Sequence, residues 1–534
     1  MVNLVSVADT AAMLADGSEY AFIDVREIVP FGAGHPLLAA NVPLSRLELS
    51  VGALIPRFDT RIVLTDGGGG HSELAAARLG QMGYSGIVVM EGGAPAWAAA
   101  GEALFPEIEV LAKGFGGFAK RHGKPNYMSP VDLDRVLKSG EDWVVLDSRP
   151  RAEYQSGNIP GSIDAPGADL VHCFDDLVPN PETKVLVNCM SATRGTLGGL
   201  SLMAAGVPNE VHVLHHGTRG WLLDGLALEK NADRFAAPPS DKARASAVAR
   251  ADRIAKSADI ARIDATTLAQ WRGDESRTTY IFDVRTPEEY ASGHVQGARC
   301  APVGSLPMNP ENFFATKNAR IVVTDDDTVR ATINALWLAQ MGLGEVAMLT
   351  EALDSAILET GPELAPNFGV ADGSCPEVNA RDLEAMRKSR RVRVIDVGHS
   401  DAYESSHIPS AEWCSRVALG ALLEKELQKE KPKDGAIVLT SEDGAVAKLA
   451  AGDLGPIAGV SVLAGGNTAW RDADMPLSSG AEKLSSPRDD HWLASSERPG
   501  DTRQNVVDYL EWEVTLPDDI ERGGRAPYRN LLWN

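Results

Sequence analysis

The hydrophobic and polar positions of this chain alternate between two kinds of segment. Short, continuously apolar runs such as 185–187 recur along the chain, and polar loops and longer segments with apolar residues at helical spacing follow them. A continuous apolar run of this length is typical of a strand buried on both faces, as in a parallel sheet. The alternation of such strands with helices predicts an α/β fold in which helices cover both faces of parallel sheets.

The alternation repeats four times. Three strands end in Asp-x-Arg, at Asp24, Asp147 and Asp283, and a fourth ends at Asp396 with Gly398 in place of the arginine. Each copy continues with a helical stretch, a turn, and a second apolar strand that runs into a polar loop. The aspartate and the first residue of that loop are 42 positions apart in three copies and 45 apart in the fourth. This near-constant spacing predicts that the four copies share one fold.

The repeats divide the chain into four modules and a tail. We expect each module to hold a mainly parallel five-stranded sheet flanked by helices on both faces. The predicted boundaries are 1–105, 106–235, 255–365 and 370–482 for the modules and 483–534 for the C-terminal tail.

The segments between the modules and the tail have distinct compositions. The stretch before Ser129 is rich in glycine, lysine and proline, which predicts a linker followed by a helix that begins near Ser129. The Ala/Arg-rich stretch before the third module predicts a helix. The tail carries Trp492, Tyr509 and Trp512. We expect the tail to pack back onto a module, since these side chains would otherwise form an exposed apolar surface.

The loop CMSATRG in the second module carries the candidate chemistry. Cys189 stands where an apolar strand ends, and a helix is predicted to begin near Gly195. The backbone N–H groups of a tight loop and the dipole of the following helix attract an anion, and Arg194 adds a permanent positive charge. We expect these features to lower the pKa of the Cys189 thiol and so to favour the nucleophilic thiolate. The alternative interpretation is a buried, inert cysteine.

Composition limits the classes of partner. The chain has 534 residues and a formal net charge of −23, which repels phosphate backbones and anionic membranes, so we expect neither nucleic acid nor a membrane as a partner. Five cysteines at irregular spacing argue against a disulfide framework or a zinc site. Neither a signal-peptide pattern nor a membrane-spanning apolar run is present, so we expect a cytoplasmic protein. We predict no metal and no organic cofactor, because the motifs that bind them are missing.

Four features together resemble the rhodanese homology domain: the Asp-x-Arg strand, the glycine-histidine turn, the six-position loop and a Gly-Gly…Trp segment. The tryptophans of that segment are Trp97, Trp221 and Trp470, and the resemblance extends to near residue 480. The chain is therefore similar to a sulfurtransferase built from four tandem rhodanese-like modules. The resemblance implies that Cys189 takes a sulfane sulfur from thiosulfate or a related donor as a persulfide. A thiophilic acceptor such as cyanide or a thiol, or a protein, would then receive the sulfur.

The resemblance also implies roles for the rest of the loop. Arg194 would stabilise the persulfide and bind an anionic donor, with a salt bridge to a nearby carboxylate as its alternative role. Asp147 and Arg149 match a structural ion pair. The backbone amides that would cradle the persulfide belong to Met190, Ser191, Ala192, Thr193, Arg194 and Gly195.

Three further side chains in the second module are weaker candidates. His215 and His216 follow the last strand of the module and could line a pocket wall, although exposed histidines are common at strand ends. Cys173 could form a disulfide with Cys189 if it faced the loop. A small residue in the core is the more common role for such a cysteine.

The other three modules lack a thiol at the matching position. By register, Asp66, Asp325 and Ser441 stand where Cys189 stands in the second module. Aspartate cannot form a persulfide, and an unactivated serine is a poor substitute, so we expect these modules to be inactive and to act in structure or docking. An inactive module can shape the site of its neighbour, and the first module is the candidate for that role.

Two other functions stay open at this point. The chain could be a non-catalytic persulfide carrier or docking scaffold, which three inactive modules out of four would fit. It could also be a cysteine-dependent phosphatase or arsenate reductase. That chemistry uses Cys-x5-Arg to surround a tetrahedral oxyanion, whereas Cys189 and Arg194 form Cys-x4-Arg, a loop one residue shorter.

Overall fold

A computed structural model describes residues 2–302, 304–350, 358–363, 375–389, 391–427, 435–454, 459–523 and 525–533. We call the repeated units modules 1 to 4 in chain order. The helix Val110–Gly123 is the connector helix, Asp241–Ser257 is the spacer helix and Thr502–Gly523 is the tail helix. The predicted boundary between modules 3 and 4 falls at 365–370, outside the described residues.

The strands follow the predicted alternation. Module 1 has strands Leu4–Val5, Tyr20–Asp24, Ala40–Asn41, Ile62–Thr65 and Ile87–Met90, and module 2 has Asn126–Met128, Trp143–Asp147, Ile163–Asp164, Lys184–Asn188 and Val211–Leu214. Module 3 has Ala261–Ile263, Thr279–Asp283, His294–Val295, Arg299–Cys300, Thr316–Lys317, Ala319–Thr324, Gly344–Leu349 and Leu358–Glu359. Module 4 has Glu377–Val378, Arg391–Asp396, Glu412–Trp413, Gly435–Thr440 and Val460–Leu463.

Helices connect these strands. Module 1 has helices Val7–Ala15, Ile28–Gly32, Leu47–Leu54, His71–Gln81 and Gly93–Ala99, and module 2 has Pro130–Ser139, Arg151–Ser156, Asp169–His172, Phe174–Leu177, Thr193–Ala205 and Gly217–Leu223. Module 3 has Ala265–Gly273, Pro287–Ser292, Ser305–Met308, the 3₁₀ turn Pro310–Asn312 and Val329–Met341. Module 4 has Ala380–Ser389, Ser400–Ser405, Arg416–Leu427, Ala445–Leu454 and Gly466–Asp472. Among the described residues, no helix combines the length and apolarity needed to cross a bilayer.

One sheet topology recurs in the modules, which confirms the predicted α/β fold. In module 2 the strands lie in the order Asn126–Met128, Val211–Leu214, Lys184–Asn188, Trp143–Asp147 and Ile163–Asp164, and all neighbours are parallel. The strand Lys184–Asn188 is central, and Val185, Leu186 and Val187 are fully buried. In such sheets a ligand crevice forms beyond the carboxyl ends of the strands, and Cys189 directly follows the central one.

The modules also pack on each other. In module 3 the short strand Thr316–Lys317 adds antiparallel to the edge of the module 1 sheet, beside Tyr20 and Ala21. Modules 2 and 3 share one hydrophobic core with the connector, spacer and tail helices. Inside that core, the indole N–H of Trp337 donates to Ser201 Oγ at 3.1 Å. Module 3 therefore packs directly against the helix that follows the Cys189 loop.

The segment before Ser129 is mostly helical, so the prediction of a linker was wrong. The glycines that suggested a linker instead allow close helix packing. A Cβ at Gly114 would overlap Ile520, and one at Gly117 would overlap the Pro517 ring, both on the tail helix. Two other local predictions are confirmed: the Ala/Arg-rich stretch forms the spacer helix, and Ser129 caps the next helix by accepting from the backbone N–H of Asp132.

The tail packs back onto the modules, as predicted. The Trp492 ring covers Gly32 of module 1 so closely that a Cβ there would overlap it. Tyr509 is 7% exposed, and Leu516 and Ile520 join the shared core of modules 2 and 3. The tail helix thereby reaches the neighbourhood of the Cys189 loop.

Candidate active site

The candidate site forms where the central strand of module 2 turns into a helix. Cys189 follows the strand Lys184–Asn188, and the next helix, Thr193–Ala205, begins two residues earlier than predicted. Gly195 therefore lies in the first helical turn, and its backbone N–H is directed at the Cys189 sulfur. Cys189 itself is 3% exposed.

A buried ion pair fixes the end of the strand. The Arg149 guanidinium donates to both oxygens of Asp147, at 2.9 and 2.8 Å, as predicted for a structural Asp-x-Arg pair. The Asn188 side-chain amide also donates to Asp147, at 2.9 Å. Asn188 directly precedes Cys189, so this network sets where the loop begins.

A second turn holds the loop from the opposite side. The backbone N–H of Thr218 donates to the Cys189 carbonyl at 2.9 Å, and that of Arg219 donates to the Met190 carbonyl at 3.0 Å. Gly217 starts this turn at a φ of +54°, and a Cβ there would overlap the Cys189 carbonyl. Only glycine satisfies both requirements. With their carbonyls held by this turn, the loop residues keep a fixed backbone around the thiol.

The prediction of a lowered thiol pKa was wrong. Burial raises the pKa of the Cys189 thiol, although the charge of Arg194 and the N–H of Gly195 act in the opposite direction. The reason is that a nearly inaccessible thiolate loses its hydration, and one N–H and one paired cation do not compensate for that loss. The loop still favours the anion relative to an equally buried thiol without these groups.

Arg194 adopts the role that the sequence left as its alternative. Its two terminal nitrogens donate to the two carboxylate oxygens of Glu153, at 2.7 and 2.8 Å. A bidentate pair of this kind fixes the guanidinium plane. Arg194 therefore anchors the loop to the helix Arg151–Ser156 while its charge still reaches Cys189.

The Cys189 thiol faces a cavity of about 470 Å³, which we call the main cavity. Module 3, the segment before the connector helix and the tail complete its walls, whereas the sequence had pointed to module 1 for this role. The loop residues in the wall are Met190, Ser191, Thr193 and Arg194, module 3 supplies Pro302, Gly304, Ser305, Met308 and Asn309, and the tail supplies Trp492, Ala494, Ser495, Arg498, Tyr509 and Glu513.

Besides Arg498, which pairs with Glu107, two further cations that the sequence analysis missed line the main cavity. The Arg219 guanidinium lies over the Tyr509 ring, 4.3 Å from its centroid, and no described carboxylate oxygen lies within 4.0 Å of it. The Lys113 ammonium donates to the Ile108 carbonyl at 2.7 Å and is 5.4 Å from the same ring. Arg219 could have been found from sequence, because it follows the last strand of module 2, whose carboxyl end lies beside that of the central strand. No local pattern marks Lys113.

A smaller space of about 360 Å³, the rear cavity, lies behind the loop. Ala192 and Thr193 line it together with both histidines, His215 and His216, so the predicted pocket wall exists but does not belong to the main cavity. Burial lowers the pKa of His216 to about 4, so this imidazole is neutral at ordinary pH. Cys173 lines neither cavity, and burial raises the pKa of its thiol to about 12.

The loops of the other modules keep the same backbone arrangement around a different side chain. In each, the backbone N–H six residues further on donates to the side chain at the position of Cys189. An aspartate therefore places its own carboxylate where module 2 would hold a sulfur anion. The pairs are Ser72 with Asp66 at 3.1 Å, Ala331 with Asp325 at 2.9 Å and Ala447 with Ser441 at 3.3 Å.

Comparison with known proteins identifies the family. A thiosulfate sulfurtransferase from Pseudomonas aeruginosa has a crystal structure that matches with a TM-score of 0.94 and 37% identity, over 99% of both chains. An HTH-type transcriptional regulator from Mycobacterium tuberculosis is 31% identical over 102 residues, which are 19% of this chain. The match spans 44% of that curated relative's length. The model of the rhodanese-like domain matches residues 6–100, 129–224, 264–355 and 379–473, and the chain therefore belongs to the rhodanese-like family, with four such domains in one polypeptide.

Proposed function

We propose that this protein is a sulfurtransferase that moves a sulfane sulfur from thiosulfate, or a related donor, to a thiophilic acceptor through a Cys189 persulfide. The observation that carries the proposal is the position of the thiol. Cys189 ends the central strand, has the Gly195 N–H directed at its sulfur, and faces the main cavity. The similarity over the full length to a thiosulfate sulfurtransferase supports thiosulfate as the donor.

The reaction divides into two half-reactions. The Cys189 thiolate attacks the outer sulfur of thiosulfate, the S–S bond of the donor breaks, and sulfite leaves with the bonding electron pair. Cys189 then carries the outer sulfur as a persulfide anion. An acceptor such as cyanide attacks that sulfur, the persulfide bond breaks, and the Cys189 thiolate returns with thiocyanate as the product.

Several groups would assist these steps. The backbone amides from Met190 to Gly195, including those of Ser191, Ala192 and Thr193, would favour the persulfide anion, and Arg194 would support the loop rather than bind the donor. We assign binding of the donor dianion to Arg219 and Lys113, whose charges face the main cavity. Modules 1, 3 and 4 act as scaffold in this proposal. A cytoplasmic location and a protein acceptor remain predictions.

The decisive test measures thiocyanate formation from thiosulfate and cyanide. Cys189→Ser should abolish turnover, whereas Cys173→Ser should leave it intact because Cys173 lines neither cavity. Mass spectrometry of the wild type after thiosulfate alone should find one added sulfur on the peptide that contains Cys189. Turnover that survives in Cys189→Ser would refute the assignment of the nucleophile. Sulfur loading without repeated turnover would indicate a persulfide carrier instead.

A further inference from the structure

A carboxylate from the C-terminal tail contacts the Cys189 loop. The Ser191 hydroxyl donates to Glu513 Oε1 at 3.2 Å, across 322 positions of sequence. Glu513 is 8% exposed and lines both the main and the rear cavity. Its second oxygen, Oε2, is buried and has no hydrogen-bond partner among the described residues.

The surroundings of Glu513 combine burial with positive charge. Lys113 and Lys120 of the connector helix and Arg219 of the helix Gly217–Leu223 face it, and Cys189, Tyr127 and Tyr509 are the other titratable groups nearby. Burial raises the pKa of the Glu513 carboxyl, against the effect of these cations. A raised pKa makes the carboxylate a stronger base than an exposed glutamate.

Packing alone does not account for this side chain. A buried polar oxygen without a partner costs free energy that an apolar residue of the same size would not cost. The carboxylate also opposes the thiolate, since its charge raises the pKa of Cys189. A group with both costs beside a reactive cysteine is a candidate for a role in the chemistry.

We propose that the Glu513 carboxylate accepts the proton of a neutral thiol at the main cavity and thereby directs the Cys189 sulfur to thiols in preference to anionic acceptors. This inference rests on the sulfur transfer proposed above and names the acceptor class. It assigns a catalytic residue to the tail, outside the four rhodanese-like domains.

Glu513 takes the proton from the acceptor R–SH, and the sulfur electron pair attacks the outer sulfur of the Cys189 persulfide anion. The persulfide bond breaks, and its electron pair stays on Cys189 Sγ as a thiolate. The proton returns from Glu513 to the product, R–S–SH. The sulfane sulfur keeps its oxidation state, so neither oxidant nor reductant is needed.

Two acceptors separate this role from a structural one. Dithiothreitol is neutral and must lose a proton, whereas the cyanide anion has none to lose and is repelled by a carboxylate. Glu513→Gln preserves the shape and the acceptor for Ser191, and with thiosulfate as the donor we expect it to lower kcat/KM for dithiothreitol by about tenfold to a hundredfold. The rate with cyanide should stay constant or rise. Glu511→Gln removes an exposed charge from the same helix and should change neither rate.

The pH profile provides a second readout. The rate with dithiothreitol should fall as pH decreases through the raised pKa of Glu513, because the protonated carboxyl cannot accept a proton. This fall in rate at low pH should be missing in Glu513→Gln. It should be present in Glu513→Asp, because aspartate keeps a carboxylate that can accept the proton. Thermal unfolding of each variant checks that the tail helix stays packed.

Equal losses with both acceptors would mean that Glu513 only supports the loop, and unchanged rates would mean that it has no role, so either result overturns this inference. A wild-type protein that forms neither thiocyanate nor a Cys189 persulfide would instead refute the proposed function itself.

Discussion

One backbone contact recurs in the loops of all four modules around different side chains. The same backbone N–H, six residues downstream, faces Cys189, Asp66, Asp325 or Ser441. In modules 1 and 3 the carboxylate already fills the position that a sulfur anion would take. Burial raises the pKa of Asp325 to about 6, so this internal anion forms near neutral pH. This backbone contact is thus common to the four modules, while the side chain that it meets differs.

At the residue scale, the raised pKa of Cys189 predicts that the reactivity of this thiol keeps rising into the alkaline pH range. The thiolate is the reactive form, so a higher pKa moves its formation to higher pH. Alkylation of Cys189 by iodoacetamide should still accelerate at a pH where free glutathione has reached its plateau. Arg194→Gln removes a charge that lowers this pKa and should slow alkylation further at any given pH. A plateau at lower pH than that of glutathione would contradict the burial argument.

Arg219 should control the affinity for the donor. Its guanidinium lines the main cavity and is stacked on Tyr509, whereas Arg194 is held by Glu153. Loss of one charge-assisted contact costs about 1.5–3 kcal/mol, so Arg219→Gln should raise KM for thiosulfate by about tenfold or more. Arg135→Gln, with a side chain that is 68% exposed, is the matched control. Equal kinetics in the two variants would exclude Arg219 from the donor site.

At the scale of elements, the contact between the connector helix and the tail helix positions the cavity walls. Glycines on one helix admit Pro517 and Ile520 of the other, and this approach brings Tyr509 and Glu513 to the loop. Gly116 of the connector helix allows a similarly close contact with Thr193, because a Cβ at this glycine would lie 2.7 Å from Thr193 Cγ2. The two helices are therefore part of the candidate site, although neither carries Cys189.

Gly117→Ala tests this contact. The new Cβ would overlap the rigid Pro517 ring, and overpacking of this kind costs about 1–3 kcal/mol. We expect a lower melting temperature and a reduced rate of thiocyanate formation, because the displaced tail helix carries cavity residues. Gly80→Ala is the control, since nothing lies within 4 Å of a Cβ at that helical glycine. Full activity in Gly117→Ala would show that the tail helix is not needed for the site.

At the scale of the whole molecule, a buried ion cluster joins modules 1 and 4. The two terminal nitrogens of Arg416 donate to Glu48 at 2.8 and 2.9 Å, and its Nε donates to Asp453 at 2.8 Å. The side chains of Arg416 and Glu48 are 1% and 7% exposed. Burial acts to raise the pKa of Glu48, but the hydrogen bonds and charge of Arg416 outweigh it, so that the pKa is lowered.

This cluster should make the free energy of unfolding depend on pH in the acidic range. The pKa of Glu48 is lower in the folded protein than in the unfolded chain. Ionised Glu48 therefore stabilises the fold at pH values above the unfolded pKa. This stabilisation is lost as the pH falls from the unfolded pKa to the folded pKa. Glu48→Gln leaves Arg416 with less compensation, and breaking a buried pair costs about 3–5 kcal/mol. Urea unfolding near neutral pH should detect this loss, with Glu73→Gln on an exposed helix position as the control. Identical stability in the two variants would contradict the interpretation.

The sequence by itself determined the fold and singled out Cys189 as the candidate nucleophile. Strand and helix periodicities are local, and the near-constant spacing between Asp147 and Cys189 and their counterparts identified the repeats. Cys189 could be singled out because one loop among equivalent loops carries a thiol. The Asp-x-Arg ion pair was also predictable, since its partners are two residues apart on adjoining backbone.

Only the tertiary structure decided what surrounds that nucleophile. The partner of Arg194 is 41 positions away, Glu513 is 322 positions from Ser191, and the module 3 wall comes from a different sheet. The pKa of Cys189 moved opposite to the prediction because burial arises from these distant elements and not from the loop itself. Local pattern specifies backbone shape, whereas desolvation and ion pairing depend on contacts between segments that only folding brings together.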